Sequence, residues 1–392
     1  MAGGGDKTRA LQAEMQAWRR AFHARPELEF DLQWTSDQVA DLLTSFGLEV
    51  HRGLGRTGVV GVLQKGNGAR SIGMRSDMDA LPISEANAFD HRSQNDGKMH
   101  ACGHDGHMAM LLGAARHLAG DGDFNGRAVF IFQPNEEFGQ GAAEMIADGL
   151  FTQFPVDEVY GMHNMPGLPV GHFETRAGPM TASEALFEIE ITARGGHAAL
   201  PHMGVDAITV GSEIVGALQT IVSRKLDPAQ NGVVSVTGFV TDGRRNVLPG
   251  RAVLSGDCRA LTPAANEVIE ARMRQIVAGI AAAHDVTATV RYDTIFPPTI
   301  NAPTPAARAV RAAGGVADHI DGDCPAKLFS EDFAHMAAAV PGCFVLMGNG
   351  TEGGHARPLH SADYDFNDDG LVAGSSFWVS LVEQQLGDGG GA

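Results

Sequence analysis

The strongest constraint on the fold is a change of sequence pattern near Glu184 that is reversed after Pro297-Pro298. The first 180 residues alternate helical and strand-like segments, which predicts an α/β core with a mostly parallel sheet flanked by helices. Residues 184–295 instead follow the order strand, helix, strand, strand, helix, strand, typical of a ferredoxin-like α+β sandwich. We therefore predict a discontinuous domain, residues 1–183 and 296–392, with the second domain, residues 184–295, inserted into it.

Periodicity places the elements of the first domain. Helical spacing covers 7–24, 35–46, 108–118, 142–150 and 369–385, and strand-like apolar runs cover 59–63, 71–74, 128–132, 158–162 and 344–347. Gly53–Gly58 spells the G-x-G-x-x-G of dinucleotide sites, but a β-branched run follows it where such a site needs a helix. We predict a turn between strands there.

Composition limits the function classes. The formal net charge of −18, with no basic run to offset it, argues against a nucleic-acid partner because phosphates would be repelled. The N-terminus lacks a basic region followed by an apolar one, and no apolar run reaches 18 residues, so we predict no signal peptide and no membrane association. Four widely spaced cysteines show no disulfide framework and favour a reducing, cytoplasmic compartment.

Metal-ligating side chains are concentrated in a few short segments. Residues 99–107 read Met-His-Ala-Cys-Gly-His-Asp-Gly-His, and the pair Glu136-Glu137, His163 and His360 follow downstream. One Cys, three His and one Glu can provide two metal positions, which leaves the second Glu available as a base. This combination of residue types predicts a metal-dependent hydrolase.

The same segments resemble the hippurate hydrolase family, which includes N-acyl-amino-acid amidohydrolases and auxin-conjugate hydrolases. It lies within the aminoacylase and glutamate carboxypeptidase clan of co-catalytic metallopeptidases. The resemblance implies a zinc-peptidase-like catalytic domain and an inserted ferredoxin-like lid. The motifs that carry it are Arg75–Pro82, His100–His107, Gln133–Glu137, Gly195–Ala199 and Ser330–Phe333.

The resemblance also implies a binuclear metal centre with two divalent ions per subunit. Zinc suits the Cys and His ligands best, with manganese, cobalt or nickel as alternatives. Cys102 would bridge the two ions, and Glu136 would be the general base. Glu137 and His360 would bind one ion, and His104 and His163 would bind the other. The implied ligands are Cys102, His104, Glu137, His163 and His360.

Other polar residues of these motifs have less definite roles. Asp79, His100, Asp105 and Glu331 could support the ligands from a second layer. For Glu331 an alternative is that its neighbour Ser330 caps a helix. His107 lies in the cluster, but the resemblance does not make it a ligand.

Three residues of the inserted domain complete the implied site. The resemblance implies that His197, from a neighbouring subunit, holds the reacting carbonyl oxygen, that Asn246 contacts substrate and that Arg259 binds the substrate carboxylate. The alternatives are a surface-loop position for His197 and a salt bridge at a strand end for Arg259. A shared site predicts a homodimer or homotetramer formed through the lid.

Together these features predict a metal-dependent amidohydrolase that cleaves the amide bond of a small N-acyl amino acid. The alternatives are a dipeptidase or N-carbamoyl-amino-acid hydrolase on the same scaffold and, more remotely, a non-catalytic metal-dependent binding protein. Ser76 and Asn135 stand where the family pattern favours alanine, and Leu328-Phe329 stands where it favours smaller residues. These departures bear on substrate choice and remove no implied ligand.

Overall fold

A computed structural model describes residues 7–387. Contacts divide the chain into two compact units. The first unit contains residues up to Met180, Ile300–Pro325 and residues from Asp332 onward, and the second unit contains Thr181–Thr299 and Ala326–Glu331. We predicted that Ala326–Glu331 would belong to the first domain, but this segment belongs to the second unit. One contact that joins it to that unit is the hydrogen bond from the amide of Ala182 to the carbonyl of Phe329.

The elements follow in chain order. The first run is α1 Gln12–Ala24, α2 Gln33–Ser45, β1 Glu49–Leu54, β2 Gly58–Lys65, β3 Ser71–Asp77, α3 His104–Gly120, β4 Gly126–Gln133, α4 Gly141–Ala147, α5 Leu150–Gln153, β5 Glu158–Pro166, β6 His172–Glu174 and β7 Gly178–Thr181. The middle run is β8 Ser183–Thr192, β9 Gly196–His197, α6 Ala207–Arg224, β10 Gly232–Thr241, β11 Val247–Leu248, β12 Arg251–Ala260, α7 Pro263–Ala283 and β13 Thr287–Phe296. The final run is β14 Thr299–Asn301, α8 Pro303–Gly314, β15 His319–Asp321, α9 Phe333–Ala339, β16 Gly342–Gly350 and α10 Leu371–Leu386. Short 3-10 turns cover Arg9–Leu11, Pro201–Met203, Gly353–Ala356 and Asp368–Gly370.

An eight-stranded sheet forms the centre of the first unit, in the order β1-β2-β4-β3-β5-β16-β6-β15. Strands β4, β3, β5 and β16 are parallel neighbours, whereas β1, β2 and β6 join by antiparallel pairing. Every residue of β3 and β16 is buried, as expected for parallel strands with helices on both faces. The predicted α/β fold with a mostly parallel sheet is therefore confirmed.

The glycine-rich segment after β1 is a turn, as predicted. Strands β1 and β2 are antiparallel, with Leu54 paired to Gly58. Gly55 and Arg56 take positive φ angles of 58° and 69°, which let the chain reverse within a few residues. A strand follows this turn where a dinucleotide site needs a helix, so the motif does not form such a site here.

The second unit has the predicted order of four strands and two helices. Its sheet order is β10-β12-β8-β13, with antiparallel pairing throughout. Alternate residues of β8, from Ala185 to Ile191, are buried against α6 and α7. The two helices begin at local caps, where Asp206 accepts from the amide of Ile208 and Thr262 accepts from the amide of Ala265.

Among residues 7–387, none of the helices combines the length and apolar character needed to cross a bilayer. The four cysteines are buried and free of disulfides.

Candidate metal centre

The predicted ligands of the first unit lie at the carboxyl ends of its parallel strands, where α/β folds place their sites. Asp79 follows β3, the pair Glu136-Glu137 follows β4, and His163 lies near the end of β5. His104 is the first residue of α3, and His360 lies in the loop between β16 and α10. Residues far apart in sequence are thus brought to one edge of the sheet.

A glycine makes the approach of α3 possible. Gly103 stands between Cys102 and His104 with a φ of 94°. A Cβ at this position would lie 2.3 Å from Oδ1 of Asn164 and 2.6 Å from the hydroxyl of Tyr364. Only glycine allows both the backbone conformation and the close packing, so it fixes the directions of the thiol and the imidazole on either side.

The thiol of Cys102 is central to the ligand cluster. Its Sγ lies 3.3 Å from Nε2 of His163 and 3.3 Å from Nε2 of His360. Two donor groups share it, and within each the ligand atoms lie within 4.8 Å of one another. One group is Cys102, His104 and His163, and the other is Cys102, Glu137 and His360.

Hydrogen bonds set the imidazoles in a ligating orientation. Nδ1 of His104 donates to the backbone carbonyl of Asp79 at 2.8 Å, and Nδ1 of His163 donates to that of Asn164 at 2.6 Å. A carbonyl can only accept, so each Nδ1 carries the proton and each Nε2 can present a lone pair. Nε2 of His104 lies 3.9 Å from Oε1 of Glu137, and both atoms are buried without a hydrogen-bond partner among the described residues.

The electrostatics of this cluster match a site built for cations. Burial and the carboxylate of Glu137 raise the pKa of the Cys102 thiol well above its ordinary value. Burial raises the pKa of Glu137 to about 7. Burial opposes protonation of His104, but Asp77 and Asp79 outweigh it and raise its pKa to about 10. Divalent cations would reverse these shifts by stabilising the thiolate, the carboxylate and the neutral imidazole. The donor set and its unpartnered atoms therefore fit metal ions.

Asp79 lies behind the glutamate pair. Its Oδ1 accepts from the amide of Glu136 at 3.0 Å and its Oδ2 from the amide of Glu137 at 3.1 Å. A single carboxylate thus fixes the backbone of both glutamates. The side chain of Glu136 is buried, at 6% exposure, and it also joins a cluster with His104 and Glu137.

His107 is bound on both sides by protein groups. Its Nδ1 lies 2.7 Å from Oδ1 of Asp77, and its Nε2 lies 2.7 Å from Oδ1 of Asn164. Asn164 also donates from Nδ2 to the hydroxyl of Tyr364 at 2.6 Å. Asp77, His104 and His107 form a further group of potential ligands, but these hydrogen bonds use both nitrogens of His107.

His100 and Asp105 lie in the buried interior beside α3. Neither ring nitrogen of His100 has a hydrogen-bond partner among residues 7–387, and burial lowers its pKa to about 4. Oδ2 of Asp105 lies 2.8 Å from Nδ1 of His23 and 3.6 Å from Nη1 of Arg19. His23 in turn contacts Glu85 at 3.1 Å.

The predicted residues of the second unit fall in two places. His197 in β9 and Asn246 next to β11 are exposed and lie on the same two-stranded ribbon, where the amide of Ala198 donates to the carbonyl of Asn246 at 3.1 Å. Glu331 is buried, at 1% exposure. Ser330 does not lie at the N-cap of α9: that helix begins at Phe333, its N-cap residue is Asp332, and no side chain there makes a capping hydrogen bond. The capping alternative is therefore wrong.

Arg259 of the second unit is held by ion pairs. It donates to Asp257 at 2.9 Å, to the hydroxyl of Ser330 at 2.8 Å and to Glu184 at 2.7 Å. These contacts correspond to the salt-bridge alternative, yet they use three of the five N–H groups of the guanidinium. Capacity for a substrate carboxylate thus remains.

Several residues of the site had no role in the prediction. Arg75, Gln133 and Asp332 stood in the quoted motifs but carried no assignment, and they prove to be buried hydrogen-bonding partners. Arg19 and His23 carried a usable sequence signal, since they are four residues apart beside the apolar face of α1. The structure shows that both side chains are almost inaccessible.

The parallel sheet and the cluster of ligating side chains at its edge define the class of protein, a hydrolase of the metallopeptidase type. Residues 73–384 match the model of peptidase family M20/M25/M40. The chain therefore belongs to this family, which confirms the resemblance predicted from its motifs and, with it, the prediction of a hydrolase.

Individual relatives agree with this assignment. The chain is 38% identical to hippurate hydrolase of Campylobacter jejuni over 382 residues, which cover 96% of this chain and 97% of that protein. It is 42% identical to N-acyl-L-amino acid amidohydrolase of Geobacillus stearothermophilus over 294 residues, covering 74% and 79%. A dinuclear metal-binding peptidase of the M20 family from Bacillus subtilis superposes with a TM-score of 0.85 at 29% identity, covering 96% and 99%.

Proposed function

We propose that this protein is a metal-dependent amidohydrolase that cleaves N-acyl amino acids into a carboxylic acid and a free amino acid. The observation that carries the proposal is the thiol of Cys102, shared by two donor groups, with the carboxylate of Glu136 beside them. A binding site alone needs no additional buried carboxylate at its edge. The names of the two relatives reported above support amide hydrolysis of an acylated amino acid.

The metal complement that we propose is two divalent ions. Cys102 would be held in common, with His104 and His163 on one side and Glu137 and His360 on the other. Thiolate and imidazole ligands suit zinc, while manganese, cobalt and nickel are the alternatives. Ions bound in this way polarise an acyl carbonyl and acidify water.

The chain's own residues then move the proton. Glu136 accepts it from the attacking water and returns it to the leaving nitrogen. Asp79 holds the backbone of Glu136 in place for both steps through the amide hydrogen bond. His360 is half exposed, so it marks the open side of the cluster, whereas His104 is fully enclosed.

Residues of the second unit keep their predicted roles as part of the proposal. His197 would stabilise the oxyanion, Asn246 would contact substrate, and Arg259 would bind the substrate carboxylate. We also propose a homo-oligomer formed through the second unit, which contains most of the large apolar side chains that the structure describes as exposed. A cytoplasmic location is supported by the free, buried cysteines.

The experiment is a substrate panel run on chelated protein and again after zinc, manganese or cobalt is restored. It contains N-acetyl, N-benzoyl and long-chain N-acyl amino acids, with dipeptides and N-carbamoyl amino acids alongside. We expect cleavage of acyl amino acids that chelation abolishes and metal restores. Cleavage of only dipeptides or only carbamoyl compounds would replace the proposed substrate class. Stoichiometric metal without turnover on any compound would indicate a binding protein.

A further inference from the structure

The contacts of the donor groups do not explain how the adjacent residues Glu136 and Glu137 can both face the same site. Neighbouring residues of an extended chain point in opposite directions, yet Glu136 and Glu137 both contribute to the same edge. The chain bends here, because Asn135 and Gly139 take positive φ angles of 53° and 69°. A Cβ on Gly141 would lie 1.6 Å from the carbonyl oxygen of Pro134. Residues 134–141, which we call the Glu loop, therefore close tightly on themselves.

One remote carboxylate holds both ends of the Glu loop. Asp332 accepts from Nε2 of Gln133, just before the loop, at 2.7 Å to each of its oxygens. Its Oδ2 also accepts from the amide of Ala142, just after the loop, at 2.9 Å. Helix α4 has no side-chain cap of its own at this end, so Asp332 supplies the missing acceptor.

A fully buried arginine balances the charge of this carboxylate. Arg75 donates to Oδ1 of Asp332 at 2.9 Å, to Oε1 of Gln133 at 2.8 Å and to Oδ2 of Asp77 at 2.8 Å. The balance is needed because a carboxylate oxygen of Asp332 lies within 4.8 Å of one of Glu136. An unpaired charge at this depth would be strongly unfavourable.

We infer that Asp332, with Arg75 and Gln133, is a positioning residue for the proposed general base. Asp79 fixes the middle of the Glu loop through the amides of Glu136 and Glu137, and Asp332 fixes its two ends. Loss of Asp332 frees the ends, so the loop moves relative to its neighbours and the carboxylate of Glu136 leaves its productive position. A displacement of about 1 Å at a catalytic group can lower the rate about 100-fold.

The test is Asp332→Asn, which keeps the shape and removes the charge and one acceptor. We expect kcat on an N-acyl amino acid to fall about 10- to 100-fold, with KM and bound metal little changed. We also expect faster hydrogen exchange at the backbone amides of residues 136–142. Gln133→Met is the second variant, since it removes a neutral partner and leaves the ion pair of Arg75 and Asp332 intact. It should show the same pattern with a smaller fall in kcat.

Glu158→Gln is the matched control. Glu158 is also buried and pairs with an arginine, Arg308, but it lies at the amino end of β5, the opposite end of that strand from His163. The control variant should lose a similar amount of thermal stability while keeping kcat and the exchange of the Glu loop. If the two variants lost kcat in proportion to their melting temperatures, or if Asp332→Asn left kcat and loop exchange normal, the inference would be wrong.

The kinetic part of the test rests on the proposed amidohydrolase function, whereas the exchange part does not. If the unmodified protein hydrolysed no N-acyl amino acid, the proposed function would fail, and exchange at residues 136–142 alone would decide the role of Asp332. If it hydrolysed them and Asp332→Asn exchanged normally in this segment, the proposed function would stand and the positioning role would fail.

Discussion

Among the residues that the structure describes, the ion pairs buried on both sides lie in the first unit, whereas those of the second unit are partly or largely exposed. In the first unit, Arg19, Arg75 and Asp105 are almost inaccessible and bound to partners. In the second unit, pairs such as Arg251 with Glu190 lie largely in solvent. Exposed pairs contribute about 0–1 kcal/mol, whereas buried pairs are valuable mainly because their geometry is fixed. The difference indicates that the first unit holds charged side chains in fixed positions beside the candidate metal centre, as in the pair of Arg75 and Asp77.

The most severe test of this contrast is Glu136→Gln in the first unit. The amide keeps the volume of the side chain but cannot accept the proton, so we expect turnover to fall by about 10²- to 10⁴-fold. Metal content should be unchanged, because Glu136 belongs to neither donor group that contains Cys102. Hydrolysis rates and metal analysis of the same preparation check both parts. Near-normal turnover would remove Glu136 from the mechanism.

A second test uses pH, since His23 is buried between two carboxylates. Burial opposes its protonation, but Asp105 and Glu85 outweigh burial and raise its pKa from 6.5 to about 9. A pKa that is higher in the folded state stabilises the protein fully below about pH 6.5, and that stability is lost as pH rises through about 9. The shift corresponds to at most about 3 kcal/mol.

The measurement is the difference in melting temperature between the unmodified protein and His23→Gln, followed from pH 6 to pH 9.5. The difference should shrink as pH rises. His284→Gln in the second unit is the matched control, because His284 pairs with Glu213 in a solvent-exposed position. That control should show little difference at any pH. A constant difference for His23→Gln would mean that its charge does not stabilise the first unit.

Sequence periodicity predicted the elements that pack by simple rules. The apolar runs at β2 to β5 and the alternating strands of the second unit lie where hydrophobic spacing places them. We did not predict β6 and β15, because each has three residues and so is too short to show a periodic hydrophobic pattern. We predicted a helix over 142–150, but α4 ends at Ala147, and Gly149, with a φ of 92°, separates it from α5, which we did not predict.

The sequence predicted which side chains the structure brings together in the two donor groups, but it did not predict the residues that support them. Cysteine, histidine and glutamate are common metal-ligating residue types, so sequence motifs point to Cys102, His104 and Glu137. Asp332 binds Gln133 and the amide of Ala142, partners about 190 residues away in sequence. No local pattern encodes such a contact, because it exists only once the sheet has formed.

Arg259 separates the two interpretations of the second unit. If it binds the substrate carboxylate, Arg259→Met should raise KM about 10- to 100-fold, since a charge-assisted hydrogen bond contributes about 1.5–3 kcal/mol. Arg251→Met is the control, because Arg251 lies on the same strand and pairs with Glu190. Steady-state kinetics and melting curves of both variants give the answer. A lower melting temperature with normal KM for Arg259→Met would establish a salt bridge alone.

The smallest expected effect concerns backbone conformation, and it compares the units at matched positions. Asn135 in the Glu loop and Asp285 after α7 have φ angles of 53° and 52°. At each position the glycine variant should be more stable than the alanine variant by about 1 kcal/mol, because alanine resists a left-handed backbone. Comparing glycine with alanine cancels the loss of the original side chain.

Substitutions at these two positions should then differ in their effect on kcat. Asn135→Ala strains the backbone next to Glu136, so its kcat should be several-fold lower than that of Asn135→Gly. Asp285→Ala and Asp285→Gly should have equal kcat, since Asp285 lies in the turn between α7 and β13. Urea unfolding and kinetics of the four variants measure both effects. Equal kcat for the two variants at position 135 would show that the Glu loop absorbs strain without moving the base, and that Asp79 and Asp332 hold it more firmly than the backbone angles do.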